Sequence, residues 1–266
     1  MVDTGTFNGR YGDEIFGHEH RDERDRLHAL TRVFDAITFA RLDALPIGLD
    51  ARCLDIGAGT GTVAVSLADR APAGRVIALD RSTALLDPNA RENLEVLEAD
   101  ITTVEFPPGS FDVIHARAIL MHLPAREEIL RRALSWLAPG GSILLSEGID
   151  TLSSTSPNAL CRKMFAGMWD SLYREIGTDG SCARNYPAVL ASHGIVNIGT
   201  DVHVPQLRGG SPLAEFWRRT FGEVRESIIA AGHLDDDEFD AGMALFDDPT
   251  FIDLALGLIS VWGQRG

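Results

Sequence analysis

Two periods of apolar residues alternate along this chain. Short apolar runs closed by an acid, a glycine or a proline predict buried strands at Cys53–Ile56, Val76–Asp80, Leu94–Glu98, Phe111–Arg117 and Ser142–Glu147. Helical spacing fills the intervals after Thr62 and from Pro124 to Leu137, with Pro124 near a first turn and Leu137-Ala138-Pro139-Gly140-Gly141 as the stop. Ahead of the first strand, Leu27, Leu30, Val33, Phe34 and Ile37 predict one or two helices within Tyr11–Leu45, while residues 1–10 read as disordered. After residue 150 the signal weakens. Pro157–Gly177 reads as a helix, Ile195–Val204 as a sixth strand, Pro212–Ala231 and Asp237–Phe246 as helices, and Leu256–Gly263 as the last strand.

One stretch organises the rest: Arg52-Cys53-Leu54-Asp55-Ile56-Gly57-Ala58-Gly59-Thr60-Gly61. It reads as strand, glycine loop and helix start. Glycines let the backbone approach a ligand closely, and a new helix aims its free N–H groups into the loop. A dinucleotide fingerprint needs its third glycine at position 62, which is Thr62, and Asp55 is an unwelcome neighbour for a pyrophosphate. An acid there suits a ligand that carries an ammonium and a sulfonium. Asp80 ends the second strand nineteen residues past Gly61, the spacing at which an acid takes hydrogen bonds from ribose hydroxyls. Taken alone, an acid at a strand end is an ordinary turn former.

The run Leu54–Gly61 resembles the first motif of the class I S-adenosylmethionine methyltransferases, and matches its D-x-G-x-G-x-G form in full. Asp100-Ile101, the Phe111-Asp112-Val113 strand and the Leu137–Gly141 turn are similar to later motifs of that family, in the same order, so the resemblance covers roughly residues 50–150. It implies an α/β fold. The expected sheet is Rossmann-like, seven-stranded and mostly parallel, in class I methyltransferase order with its last strand antiparallel. Residues 1–45 are expected as a helical lid and 46–266 as the core, with a helical insertion at about 207–250 between strands six and seven. Loops that long are usually functional. The resemblance also implies S-adenosylmethionine as cofactor and S-adenosylhomocysteine as product. Its implied contacts are Asp55, Gly57, Ala58, Gly59, Thr60, Gly61, Asp80, Arg81, Asp100, Ile101, Ala116 and Arg117.

The carboxyl end of the fourth strand faces the ligand crevice of an open parallel sheet, which places Ala116, Arg117, Met121 and His122 near the reacting centre. His122 is the leading general-base candidate, against the plain alternative that it bonds local backbone before Pro124. Arg117 orients an acidic substrate or holds a core carboxylate. Tyr11, Glu19 and His20 enter if the leading segment closes over the site, with Gly17 and Arg24 or Arg26 as loose matches to a lid motif. His115 reads as a satisfied core histidine, and the stripe Met164, Phe165, Met168, Trp169, Leu172 and Tyr173 as core before pocket.

Composition narrows the partners. A net charge of −15 opposes nonspecific binding to phosphate backbones, and no basic run offsets it, so no nucleic-acid partner is expected. Cys53, Cys161 and Cys182 are far apart and odd in number, which suits a reduced, cytoplasmic chain without a signal peptide. The apolar stretch Leu254–Trp262 is too short to span a bilayer, so no membrane partner is expected. No metal is expected: Asp235-Asp236-Asp237-Glu238 reads as a helix N-terminus complementing the dipole. The partner is a small molecule, and a homodimer is allowed. The ending Val261-Trp262-Gly263-Gln264-Arg265 resembles a ubiquinone-methylase-type branch acting on natural-product intermediates. That implies C-, N- or O-methylation, with an aromatic or indole-bearing acceptor among the options. The rival readings are a repurposed or non-catalytic protein of the same fold, a nicotinamide-dependent oxidoreductase and a methyltransferase acting on a macromolecule.

Overall fold

The computed structural model describes residues 15, 16, 21–150 and 153–266. The disorder expected at 1–10 and the candidates Tyr11, Gly17, Glu19 and His20 lie outside the described residues.

Helix α1 (Arg21–Asp43) leads into β1 (Arg52–Ile56), α2 (Thr62–Arg70), β2 (Arg75–Asp80), β3 (Leu94–Glu98), β4 (Phe111–Arg117), α3 (Arg126–Trp136) and β5 (Leu137–Ile149). Then come α4 (Ala159–Ile176), α5 (Tyr186–Ser192), β6 (Ile195–His203), β7 (Gln206–Arg208), α6 (Pro212–Glu223), α7 (Arg225–Ala230), α8 (Asp236–Leu245), β8 (Ile252–Leu254) and β9 (Gly257–Arg265). Seven strands form one sheet in the order β3-β2-β1-β4-β5-β9-β6. The first five pair in parallel, and β9 runs antiparallel to both its neighbours. This is the expected doubly wound sheet with its antiparallel last strand. Its order reverses between β1 and β4, where a crevice opens at the strands' carboxyl ends.

Strand alternation divides the core. Leu54, Ile56, Ile114, Ala116, Ile143 and Leu145 pack on one face with residues of α3 and α5. Cys53, Val76, Ala78, Val113 and Leu144 pack on the other with α2 and the end of α1. Asp55, His115 and Arg117 alternate onto this second face. A third core joins α1 to α4, α6, α7 and α8 through Ala29, Met164, Phe165, Phe216, Trp217 and Phe221. The leading helix therefore shares a core with the insertion as well as covering the sheet.

Several boundaries differ from expectation. A 3-10 turn at Leu120–His122 and extended Leu123 (φ −107, ψ 119) delay α3 to Arg126. The Pro139-Gly140-Gly141 turn is absorbed into β5, whose register with β4 jumps between Phe111 and Val113. The helix expected over Pro212–Ala231 breaks at Val224 (φ −105, ψ 11), and α7 turns back against α4. Short α5 was not foreseen, nor was the β7–β8 ladder that closes the base of the insertion, because elements of three to seven residues carry little periodicity. The acidic run opens α8 as expected, with Asp235 Oδ1 accepting from the Glu238 N–H at 2.8 Å. Among the described residues no helix is long and apolar enough to cross a membrane.

Candidate active site

A cavity of about 600 Å³ opens at the carboxyl ends of β1, β2 and β4. Its floor is the glycine loop. The Gly57 and Ala58 N–H groups donate to the Leu79 carbonyl at 2.8 and 3.1 Å, which pins the loop to β2. Gly57 has φ 68, and a Cβ there would lie 3.0 Å from Ile119, so only glycine fits both the backbone and the space. The Gly59 N–H donates to Asp80 Oδ2 at 2.8 Å, and the Ser82 N–H donates to Oδ1 at 3.1 Å. Asp80 is 7% exposed and lines the cavity. Asp100 closes an Asx turn, its Oδ1 accepting from the Thr102 N–H at 2.8 Å and the Thr102 hydroxyl at 2.7 Å. Thr60, Arg81, Asp100 and Ile101 also line the cavity.

Gly61 and Ala116 do not line it. Gly61 (φ 78) serves as the N-cap of α2, and Ala116 is fully buried in the opposite core. Strand alternation explains Ala116: its neighbours His115 and Arg117 take the cavity face instead.

Asp55 and His115 face each other across the β1–β4 register, with His115 Nδ1 2.7 Å from Asp55 Oδ1. Both are almost fully buried and both line the cavity. Asp55 Oδ2 and His115 Nε2 have no hydrogen-bond partner among the described residues. When Nδ1 donates to Asp55, Nε2 is left as an acceptor, so the pair offers two acceptor atoms. The reading of His115 as a satisfied core histidine is corrected here. Its registration opposite Asp55 brings it to the cavity, and that pairing is a tertiary fact.

Arg117 is committed to the leading helix, donating to Asp35 Oδ1 at 2.8 Å and to the Thr38 hydroxyl at 2.9 Å. Ala118 follows at φ 53, a left-handed conformation unusual for a residue with a Cβ, and starts the turn that carries Met121 and His122 into the wall. Glu147 holds this turn from behind: its Oε1 accepts from the Leu120 N–H at 2.9 Å. Burial raises the Glu147 carboxyl to about 8. His122 Nδ1 lies 3.0 Å from the Thr178 hydroxyl. Burial, with the nearby guanidiniums of Arg26 and Arg126, pushes His122 down to about 3, so its imidazole is neutral at physiological pH.

Residues 53–141 match the sequence model of a methyltransferase domain. The methyltransferase str2 of Strobilurus tenacellus is 34% identical over 170 residues, which are 53% of this chain and 60% of that protein. A trans-aconitate 2-methyltransferase of Deinococcus radiodurans is 35% identical over 91 residues, 34% of this chain and 35% of its own length. The chain thus spans less than two thirds of these curated relatives. Residues 53–141 are thus a methyltransferase domain by sequence. Solved structures share its fold. The Haemonchus contortus phosphoethanolamine N-methyltransferase 2, in complex with phosphomonomethylethanolamine and S-adenosylhomocysteine, superposes with TM-score 0.59 at 16% identity over 94% of this chain and 59% of that one. The cyclase SpnF superposes with TM-score 0.50 at 18% identity over 87% and 80%.

The half of the cavity away from the glycine loop is built by helices outside the methyltransferase-domain match. Leu30 and Phe34 of α1, Met168 and Trp169 of α4, and Phe216 and Trp217 of α6 line it. The stripe on α4 is thus divided, with Met164 and Phe165 in the core and Met168, Trp169 and Leu172 also at the cavity, while Tyr173, expected on the same stripe, is turned outward and 47% exposed. Helical spacing cannot separate these roles, since a buried face and a cavity face are equally apolar. Among the described residues no cluster of His, Cys, Asp or Glu is arranged to hold a metal ion. The three cysteines are free and buried, and burial raises Cys53 and Cys182 to about 12 and Cys161 to about 11, which leaves them unreactive.

Proposed function

We propose that this methyltransferase moves a methyl group from S-adenosylmethionine to a C, N or O atom of a small organic acceptor, an intermediate of secondary metabolism, in the cytoplasm. The observation that carries this reading is the row of carboxylates at adjacent strand ends. Asp55, Asp80 and Asp100 all line the cavity that the glycine loop floors. Acceptor atoms in that row suit ribose hydroxyls, an exocyclic amine and an ammonium, and they disfavour a pyrophosphate. Asp55 Oδ2, without a hydrogen-bond partner among the described residues, fits the cofactor as well. Asp80 and Asp100 are assigned to its ribose and adenine, and Asp55 to its cationic end.

When bound, S-adenosylmethionine supplies an activated methyl: the methyl–sulfur bond breaks, its electron pair stays on sulfur, and the acceptor's lone pair forms the new bond. The protein's part is alignment and exclusion of water. We assign the leading segment to a lid, supported by Leu27, Leu30, Thr31 and Phe34 at the cavity and by the ties of Arg117 to Asp35 and Thr38. His122, neutral at the wall, accepts a hydrogen bond from a hydroxyl or amine acceptor and orients it. With its basicity lowered so far, it is suited to align the acceptor more than to store its proton.

Relatives whose names carry trans-aconitate or phosphoethanolamine act on strongly charged molecules. Among the described residues, Arg26 and Arg117 of the cavity lining are already paired, Arg26 donating to both Glu23 oxygens at 2.6 and 2.7 Å and Arg117 to Asp35 Oδ1 at 2.8 Å. A polyanion finds little compensating charge there, so we assign a weakly charged acceptor. The test is methyl-labelled S-adenosylmethionine, incubated with the protein and an extract of its source cell. Label in the small-molecule fraction supports the reading. Label in protein or nucleic acid removes the substrate class, and cofactor bound without any transfer moves the chain toward a repurposed fold.

A further inference from the structure

A second hollow, of about 490 Å³, adjoins the acceptor half of the cavity. Ile149 at the end of β5, Asp150, Ser153, one side of α4, and Thr178, Asp179, Gly180 and Ser181 line it. It opens to solvent beside the exposed Tyr173.

Helix α4 divides the two spaces. Met168, Leu172 and Ile176 run along its cavity side. Ala166, Asp170 and Tyr173 run along the side that faces the hollow. At about 3.6 residues per turn, Trp169 falls on the seam between these rows. It lines both spaces.

The ring is wedged in place. Its six-membered edge faces Gly180, where a Cβ would lie 3.1 Å from Cζ3 and Cη2 and 3.2 Å from Cε3. It packs both against the sheet core that holds Met121 and Leu130 and against the helical core that holds Phe165 and Trp217. Beside it, a hydrogen-bonded pair continues the partition. Thr178 lines the hollow and His122 the cavity, with the Thr178 hydroxyl 3.0 Å from His122 Nδ1. The Asp179 N–H donates to the Met121 carbonyl at 2.8 Å, which ties this segment to the turn after β4. At Trp169 the wall is therefore about one side chain thick. The spaces it separates differ in character. Met168, Leu172 and Ile176 are apolar, whereas Asp150, Asp170, Asp179 and Arg184 line the hollow. A fixed ring at this seam keeps water and those charges out of the apolar end.

We propose that Trp169 is a specificity-determining residue: its ring ends the acceptor half of the cavity and sets the longest acceptor that can be methylated. This deepens the methyl-transfer reading and rests on it.

The test titrates a series of para-alkylphenols, from para-cresol to para-octylphenol, into the full chain saturated with S-adenosylhomocysteine. Calorimetry on the wild type is expected to show affinity rising by about 4-fold per methylene, the gain for burying one CH₂, and then stopping where the tail meets the ring. In Trp169→Ala the rise is expected to continue to longer tails. S-adenosylhomocysteine affinity should be unchanged in that variant, which also certifies its folding. Trp169→Phe, with its smaller ring, should move the limit in the same direction by less, and serves if the Ala variant does not fold. A rise that continues to para-octylphenol in the wild type, or one limit shared by the wild type and both variants, would each overturn the proposal. So would lost S-adenosylhomocysteine affinity in a Trp169→Ala chain that still unfolds cooperatively, since the ring would then belong to the cofactor end. Failure of every phenol in a chain that binds S-adenosylhomocysteine overturns it too, while leaving methyl transfer standing. Failure to bind S-adenosylhomocysteine at all would overturn the methyl-transfer reading beneath it.

Discussion

Replacing Asp80 tests the cofactor end most directly. An ionised carboxylate has roughly four lone-pair sites. In this protein one oxygen accepts from Gly59 and the other from Ser82, which leaves about two sites for a ligand in a residue that is 7% exposed. Two is the number of free hydroxyls on the ribose of an S-adenosyl group. Asp80→Ala removes both ligand bonds, at a net of about 0.5–1.5 kcal/mol each, so the cofactor should weaken by about 1–3 kcal/mol, or about 5- to 160-fold in Kd. Asp80→Asn keeps an oxygen for the Gly59 N–H but loses the charge, and should fall between wild type and Ala. The assay is calorimetric titration of S-adenosylhomocysteine, with thermal unfolding of each variant as a folding check. Wild-type affinity in both variants, each unfolding cooperatively near the wild-type Tm, would remove Asp80 from the site and refute the reasoning. Equal loss in Ala and Asn would instead make its charge the source of the effect.

The remaining expectations concern the wall and the loop. His122→Ala should lower turnover more than S-adenosylhomocysteine affinity, and wild-type kcat should show no limb from His122 above pH 5, since that group is pushed down to about 3. Wild-type turnover in the variant would end its role. Glu147, raised from 4.5 to about 8, holds a proton in the folded chain that the unfolded chain has released between those values. Stability should therefore fall as pH rises across that window, by at most about 1.4 kcal/mol per pH unit, and level off above it. Glu147→Gln should flatten the slope in denaturant titrations, and an unchanged slope would contradict the assignment. Gly57→Ala should cost about 1–2 kcal/mol for its left-handed backbone alone, and more because its Cβ meets Ile119 at 3.0 Å. An unchanged Tm in a scan of that variant would count against the loop geometry.

Much of this protein is legible in its chain because the signals are local. The run Cys53–Gly61 encodes a strand, a turn requiring left-handed backbone, and a helix start, all within ten residues. Asp80 and Asp100 are readable because the carboxyl ends of parallel strands converge on one crevice whatever packs around them. Sheet order and the antiparallel β9 followed from the resemblance that those motifs carry.

Tertiary structure decided what depends on pairs far apart in sequence. Whether Arg117 meets a substrate or a carboxylate was open until α1 placed Asp35 and Thr38 beside it. His115 became part of the cavity wall because the β1–β4 register set it against Asp55, and a shift of one residue would have sent it to the other face. The acceptor half is assembled from α1, α4 and α6, helices whose apolar stripes look alike in sequence. Local chemistry wrote the cofactor end into one short segment and a few strand ends. The acceptor end arises only when distant helices close on each other, because a cavity is a property of their packing and no one segment contains it.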